Sequence, residues 1–454
     1  MAISAFGILP GNSRVLVVGL GLTGLSVVRF LSALGIEVAV TDNRANPPGL
    51  DECRKLGMDI PMFLGRFERQ AFQAATHLIV SPGVSLECEE VFRALEAGLR
   101  LLSDIDLFAA IADAPVAGIT GSNGKSTVTS LLGRMAEKAK WTVRIGGNYG
   151  VPALDLLDPN ERPDLYVLEL SSFQLERTSH LQCTAAAVLN ISADHLDRHG
   201  DMESYARSKQ SIFSSCTVMI LNRDDPKVVA MSKKDHPALC FGLNGENDLD
   251  FGVRKFGDGE WIVHGETRLI KSDAVRIKGR QNLSNALAAI ALGYALSIPM
   301  PAMLKVLEEF PGLPHRMQWV DEFKGVIWIN DSKATNVGAC AAALRGLSGK
   351  VVLIAGGDGK GADFSDLKPL IQQRARAVVL IGRDAGLLAG HFAEAVPCVH
   401  ASDLKKAVEI AAGIARSGDT VLLSPACASL DQFRDYQERG RVFEQAVREL
   451  KRAH

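Results

Sequence analysis

A chain of 454 residues, 47% of them hydrophobic and 22% charged, exceeds one ordinary core, and the usual domain size of roughly 100 to 200 residues points to about three folded units. Lys+Arg 50 against Asp+Glu 52 leaves a formal charge of -2; without clustered positive charge, nucleic acid and anionic membranes are excluded as expected partners, and an anionic ligand must be met by local groups. The start, MAISAFGILPGNSR, lacks the apolar core of a signal peptide, and no later run reaches the roughly 18 apolar residues of a membrane span, so a cytoplasmic protein with no membrane span is expected.

Residues 14 to 110 alternate short apolar runs (RVLVVG, EVAVTD, HLIVSPG) with helical stretches, the pattern of a parallel βαβ sheet. The first strand runs into GLGLTG, where Gly19, Gly21 and Gly24 fit GxGxxG, and Asp42 ends the next strand. A dinucleotide fold places its ribose ligand there, about twenty residues beyond the glycines. A nicotinamide or flavin site, another nucleotide-like diphosphate site and a tightly packed turn all remain open on these residues alone.

From 114 a new apolar strand leads into GITGSNGKST. A Walker A loop has glycine six places before its lysine; six before Lys125 stands Ile119, with Gly118 one place too early. The physical essentials survive that loss. Gly121 and Gly124 allow a compact turn whose N–H groups point at phosphate oxygens, Lys125 adds a point charge, and Ser126 offers a hydroxyl to Mg²⁺. DLYVLELSSFQLE then puts Glu169, and AAAVLNISADHLDRHG puts Asp194 and His195, just past strand ends, where open parallel sheets bind ligands. Beside a phosphate loop Glu169 is the natural Mg²⁺ donor, whereas His195 by itself also reads as a structural histidine.

Further on, Lys209 in MESYARSKQSIF reads, taken alone, as a residue on a solvated helix face. The turn-rich interval 222 to 275 predicts an antiparallel flap or meander, and NLSNALAAIALGYAL a helix buried nearly all round. PMPAMLKVLEEFPGLPHR, with Pro311 and Pro314, reads as a linker. GVIWIND, VVLIAGG, AVVLIG and TVLLSPA restart the strand and helix alternation as a third α/β unit, in which GGDGKGADF is either a plain turn or an anion site using Lys360. Cysteines 53, 88, 183, 216, 240, 340, 398 and 427 form no CxxC pair, so they are expected to be small buried apolar side chains rather than zinc ligands or disulfides.

The stretches GITGSNGKST, LELSSFQLE, NISADHLDRHG, RQNLSNALAA, GLPHRMQ, NDSKATN, GGDGKGADF and LSPACASLDQFRDYQERG, in this order, resemble the ATP-dependent Mur ligase family of peptidoglycan precursor synthesis. GLGLTG, NDSKATN and SPACASLDQF are similar to the members that add D-glutamate to UDP-N-acetylmuramoyl-L-alanine. The resemblance implies an α/β, three-domain architecture: an N-terminal Rossmann-like domain (1–110), a central P-loop ATPase-like domain (111–312) and a C-terminal Rossmann-like domain (313–454). It implies a monomer that uses ATP and two Mg²⁺ sites.

Carried over by position, Leu22, Thr23, Asn43, Arg44 and Ser81 would surround the UDP moiety, with Asn148 near the substrate. Gly121, Ser122, Asn123, Gly124, Lys125, Ser126 and Thr127 would form the ATP loop, with Asn282 and Asn285 at adenine, Arg316 at the phosphates and Asp331 at the ribose. Ser126 and Glu169 would hold one metal, His195 and a carbamylated Lys209 a second. Lys333, Thr335, Lys360, Ser429, Leu430 and Tyr436 would line the D-glutamate and acyl-phosphate region. Asn43 and Tyr436 depart from the threonine and phenylalanine expected there. The rival readings are a nicotinamide dehydrogenase, a ligase for another amino acid, and a non-catalytic nucleotide-binding regulator.

Overall fold

The computed structural model describes residues 2–57, 59–243, 251–347 and 349–453. The chain forms two compact units, one of Met1–Ile191, His195–Ile270 and Ala286–Val306, the other of Ser192–Asp194, Lys271–Asn285 and Leu307–His454.

The first unit contains two sheets. β1 (Arg14–Val18), β2 (Glu37–Asp42), β3 (Met62–Leu64), β4 (His77–Val80) and β5 (Arg100–Leu102) run parallel in the order β3-β2-β1-β4-β5. β1 and β4 are apolar and almost wholly buried because helices cover both faces. The second sheet joins β6 (Val116–Thr120), β7 (Val143–Gly147), β8 (Leu165–Glu169), β9 (Cys183–Val188), β10 (Cys216–Asn222), β11 (Ala238–Phe241), β12 (Phe251–Phe256), β13 (Gly259–His264) and β14 (Thr267–Lys271). Their order is β14-β13-β12-β11-β10-β9-β6-β8-β7. β6 lies between β9 and β8, so the turn after it opens at the carboxyl edge of the sheet's centre. The expected meander is present as the β12–β13 antiparallel pair, and β11, parallel to β10, ties it to the sheet.

In the second unit, β15 (Gln318–Phe323), β16 (Val326–Asn330), β17 (Val351–Gly356), β18 (Ala375–Ile381), β19 (Cys398–His400) and β20 (Thr420–Leu423) take the order β15-β16-β20-β17-β18-β19. Among the described strands of this unit only β15 pairs antiparallel, at the edge.

The linker reading of the Pro/Gly stretch needs correction: Met300–Glu309 is an α-helix. Pro301 falls in its first turn, where a missing N–H costs no intrahelical bond. Met303, Val306 and Leu307 recur at helical spacing and are buried, and that apolar stripe outweighs the proline signal. Pro311 and Pro314 lie beyond the helix end. The other helix expectation holds, with Ala286 to Leu292 of Arg280–Ala295 buried on all sides.

Candidate active site

The first site is a cavity of 710 Å³ in the first unit. Gly19, Gly21, Leu22, Thr23, Asn43, Arg44, Ser81 and Asn148 all line it, so the structure gathers the whole set expected around UDP. The glycine spacing is explained by close packing: a Cβ on Gly24 would lie 2.0 Å from the Gly19 carbonyl, and Gly19 itself has φ +92°. Gln174 also lines the cavity, and sequence reasoning missed it. Its visible signal, the Ser171/Gln174 capping box, is sufficiently explained by helix capping.

Asp42 ends β2 at the cavity. It is buried, and its carboxylate accepts hydrogen bonds from Leu20 N (2.8 Å), Arg44 N (2.9 Å), Arg44 Nε (2.8 Å) and Arg44 Nη2 (2.7 Å). Burial by itself would raise this carboxyl, but the Arg44 guanidinium and the two amides outweigh it and hold the group below its ordinary value. Asp42 itself lines the cavity, and with both oxygens engaged it orients Arg44 there.

The second site lies where β6 meets the helix Lys125–Lys138. Gly124 caps that helix at φ +89°, a left-handed conformation that favours glycine. A Cβ on Gly121 would crowd Leu189 Cβ at 2.9 Å. Lys125 Nζ folds back to donate to the carbonyls of Gly121 (2.8 Å) and Ser122 (3.0 Å), which places the ammonium over the loop. Ser126 Oγ donates to Glu169 Oε2 at 2.5 Å, and Asn148 Nδ2 donates to Glu169 Oε1 at 2.7 Å.

The loop is also braced by a residue that sequence reasoning overlooked. Asn190 accepts from Ser122 N through its carbonyl (2.9 Å) and from Asn123 N through Oδ1 (2.8 Å), and its Nδ2 donates to Asn123 O (3.0 Å). Those two amides therefore brace the loop's shape. Thr127 is buried within the helix.

Lys209 contradicts its solvated reading: the side chain is buried, Nζ donates to the Gly121 carbonyl at 3.0 Å, and the ammonium lies 4.7 Å from the Tyr205 ring centroid. A helical lysine in a polar stretch carries no sequence mark of that placement. His195 begins the short helix Leu196–His199 at φ +55°, with its ring edge-on to Phe173 at 4.8 Å. Hydroxyl and carboxylate oxygens meeting beside a phosphate loop are the donor set a hard divalent cation takes, so Ser126 and Glu169 fit Mg²⁺.

In the second unit three loops are knitted together. Arg439 is buried and donates through Nε to Ser332 Oγ (3.0 Å), Nη2 to Ser332 O (2.8 Å) and Nη1 to Cys427 O (3.1 Å). Burial pushes its guanidinium down to about 10, still cationic at neutral pH. Asp358 and Ala428 exchange backbone hydrogen bonds, joining the GGDGK loop to the loop of Ser429 and Leu430. Lys333 Nζ rests 4.2 Å from the Tyr436 ring centroid.

Lys333, Ser429 and Lys360 thus stand on loops tied to one another, with Tyr436 at the start of the following helix and Thr335 close along the chain. Asp331 accepts from Met317 N (3.1 Å) and Ser424 Oγ (2.9 Å), and burial pushes its carboxyl up to about 7. The Met317 contact fixes the turn that carries Arg316. Asn282 and Asn285 share one face of Arg280–Ala295, Asn285 Nδ2 donating to Asn282 Oδ1 at 3.3 Å. The eight cysteines are free thiols; Cys53, Cys183, Cys216, Cys340 and Cys427 are buried, whereas Cys88, Cys240 and Cys398 are half-buried.

A largely parallel central sheet that ends in a lysine-bearing glycine turn, flanked in sequence by two further α/β sheets, is the architecture of a nucleoside-triphosphate-binding class rather than an oxidoreductase. Family descriptions match in three consecutive stretches: Mur ligase MurD-like, N-terminal domain over residues 13–103; Mur ligase middle domain over 119–293; and Mur ligase, glutamate ligase domain over 315–427. The UDP-N-acetylmuramoylalanine–D-glutamate ligase of Methylococcus capsulatus is 54% identical over 97% of this chain and 95% of its own length. The ligase of the same name from Marinobacter nauticus is 49% identical over 98% and 100%. The solved UDP-N-acetylmuramate–alanine ligase of Thermotoga maritima shares the fold with a TM-score of 0.60, at 17% identity over 98% and 100%.

The chain belongs to the Mur ligase family, with its N-terminal Rossmann-like, central P-loop ATPase-like and C-terminal Rossmann-like architecture. It is an ATP-dependent ligase.

Proposed function

We propose that this chain joins the carboxylate of UDP-N-acetylmuramoyl-L-alanine to the amine of D-glutamate, converting ATP to ADP and phosphate, in cytoplasmic peptidoglycan precursor synthesis. The observation that carries this reading is the Lys125, Ser126 and Glu169 cluster, joined through Asn148 to the cavity that Arg44 and the GLGLTG turn line. The relatives cited above, which bear the name of this reaction, match 97% and 98% of the chain. We assign residues 1–110 to the UDP-substrate domain, 111–312 to the ATP domain and 313–454 to the amino-acid domain, in a monomer.

A carboxylate is a poor acyl donor, so its oxygen first attacks the γ-phosphorus of ATP. A P–O bond to the acyl oxygen forms, the bond to ADP breaks, and an acyl phosphate results. Two anions must approach, and Lys125 and Arg316 offset that repulsion at the phosphates. Mg²⁺, held by Ser126 and Glu169, supplies further charge neutralisation when bound. The D-glutamate amine then attacks the acyl carbon; the tetrahedral intermediate loses phosphate and a proton to give the amide. Lys333 and Lys360 meet the carboxylates of D-glutamate, with Thr335, Ser429, Leu430 and Tyr436 around them. Asn282, Asn285 and Asp331 hold the adenosine.

We further assign Lys209 as a carbamate: the amine nitrogen bonds to CO₂ carbon and one proton is released, leaving an oxygen donor for a second Mg²⁺ shared with His195. Burial of Lys209 against the phosphate loop supports this, since a buried amine beside Gly121 has no solvent-facing role.

The deciding experiment measures phosphate release from purified protein with ATP, Mg²⁺ and UDP-N-acetylmuramoyl-L-alanine. Release that requires D-glutamate and ignores L-glutamate is expected. Release without that selectivity overturns the substrate assignment, and NAD(H) binding without ATP turnover would restore the dehydrogenase reading.

A further inference from the structure

The loop after β4 lines the cavity with Ser81, Pro82, Gly83 and Val84, and buried charges hold its backbone from below. Arg177 Nη1 donates to the carbonyls of Val80 (2.9 Å) and Ser81 (2.8 Å); its Nη2 donates to Val84 O (3.2 Å) and Glu176 Oε1 (2.6 Å). Arg198 Nη2 donates to the last two of these acceptors, at 2.9 Å each. The Arg177 side chain is wholly buried and that of Glu176 is 17% exposed. Separating buried partners of this kind strands an uncompensated charge, so the cluster and the loop shift as one piece.

The same cluster reaches the phosphate loop. His199 Nδ1 lies 3.8 Å from Glu176 Oε2, and its ring stacks on Phe173 at 5.4 Å and meets Tyr205 at 5.3 Å. The Tyr205 hydroxyl is 3.0 Å from Ser122 Oγ. Phe173 also carries the His195 ring and, at 5.1 Å, the Arg198 guanidinium. His195 holds a left-handed backbone that a non-glycine residue keeps only when its surroundings enforce it.

We propose that Glu176, Arg177 and Arg198 are positioning residues that couple filling of the cavity to the geometry of the phosphate loop and the His195 turn. The proposal rests on the reading above, in which the UDP-linked substrate fills the cavity and ATP the loop. A ligand that draws the Ser81–Val84 loop inward carries Arg198 with it, and the stacked rings pass that movement to Ser122. Linkage requires the coupling factor to be equal in both directions, which gives the idea an internal check.

Isothermal titration of the intact chain tests it, using UDP-N-acetylmuramoyl-L-alanine and a non-hydrolysable ATP analogue with Mg²⁺, each alone and each in the presence of the other. In the wild type each ligand should tighten the other at least about fivefold, by the same factor. Glu176→Gln and Arg198→Lys should keep each separate affinity within about threefold and bring the coupling factor to about one. A purely structural role would lower the thermal midpoint and leave the factor intact. That result, or a wild-type factor of one, overturns the proposal. If Glu176→Gln does not fold, Arg198→Lys carries the test, because the Arg198 side chain reaches solvent (19% exposed). A wild type that binds neither ligand refutes the functional reading itself and takes the coupling with it.

Discussion

Lys125 concentrates the chemistry at the residue scale, because its ammonium is already drawn over the loop by the Gly121 and Ser122 carbonyls. Lys125→Ala should lower turnover by about 10² to 10³-fold, the usual cost of one preorganised charge-stabilising group; stopped assays of phosphate release would show it. Lys209→Ala should fall comparably and gain nothing from added bicarbonate, and near wild-type turnover removes Lys209 from the mechanism. Asp331 makes a pH prediction. Burial raises its carboxyl from an ordinary value near about 4 to about 7 in the folded chain. An acid raised on folding stabilises the protein fully below pH about 4, and that contribution is lost as pH rises through about 7. Asp104, pushed up to about 6 by burial, has the same sign. Asp331→Asn should therefore flatten, without abolishing, the decline of unfolding free energy between pH about 4 and 7, read from urea melts.

Elements set the precision of these groups. The helix Leu22–Ala33 can approach β1 only because Gly24 has no side chain, its Cβ position lying 2.0 Å from the Gly19 carbonyl. Gly24→Ala should cost about 1 to 3 kcal/mol through overpacking, lower the thermal midpoint and raise KM for the UDP-linked substrate; an unchanged KM would place that substrate elsewhere. In the second unit the helix Tyr436–Ala453 is fastened by Arg439 to the loops bearing Lys333 and Ser429. Removing Arg439 leaves buried carbonyls without a donor, at about 1 to 3 kcal/mol for each.

Across the whole molecule the charges divide by task. The phosphate loop and the cavity belong to the first unit, while Lys333, Lys360 and Ser429 belong to the second. Lys360, exposed on its loop at φ +51°, should meet the free amino acid without supporting the fold. Lys360→Ala should accordingly raise KM for D-glutamate by about tenfold or more, the scale of one lost charge-assisted hydrogen bond, and leave KM for the UDP-linked substrate nearly unchanged. Equal changes in both would refute the division.

Much of this was legible along the chain because local chemistry carries it. Apolar runs ending in polar turns located β1, β6, β8 and β9, and a compact glycine turn before Lys-Ser requires only neighbouring residues. What periodicity misjudged was set by partners distant in sequence. The helix Met300–Glu309 forms because its stripe finds a core, despite Pro301. Asn190 braces a loop some seventy residues earlier, and Lys209 is buried against Gly121. The order of amino acids by itself determined the strand ends and the type of ligand they face, since those depend on backbone geometry and residue type nearby. Only the tertiary structure decided which charges are spent on each other and which remain for a ligand, because burial and pairing depend on residues far apart in the chain.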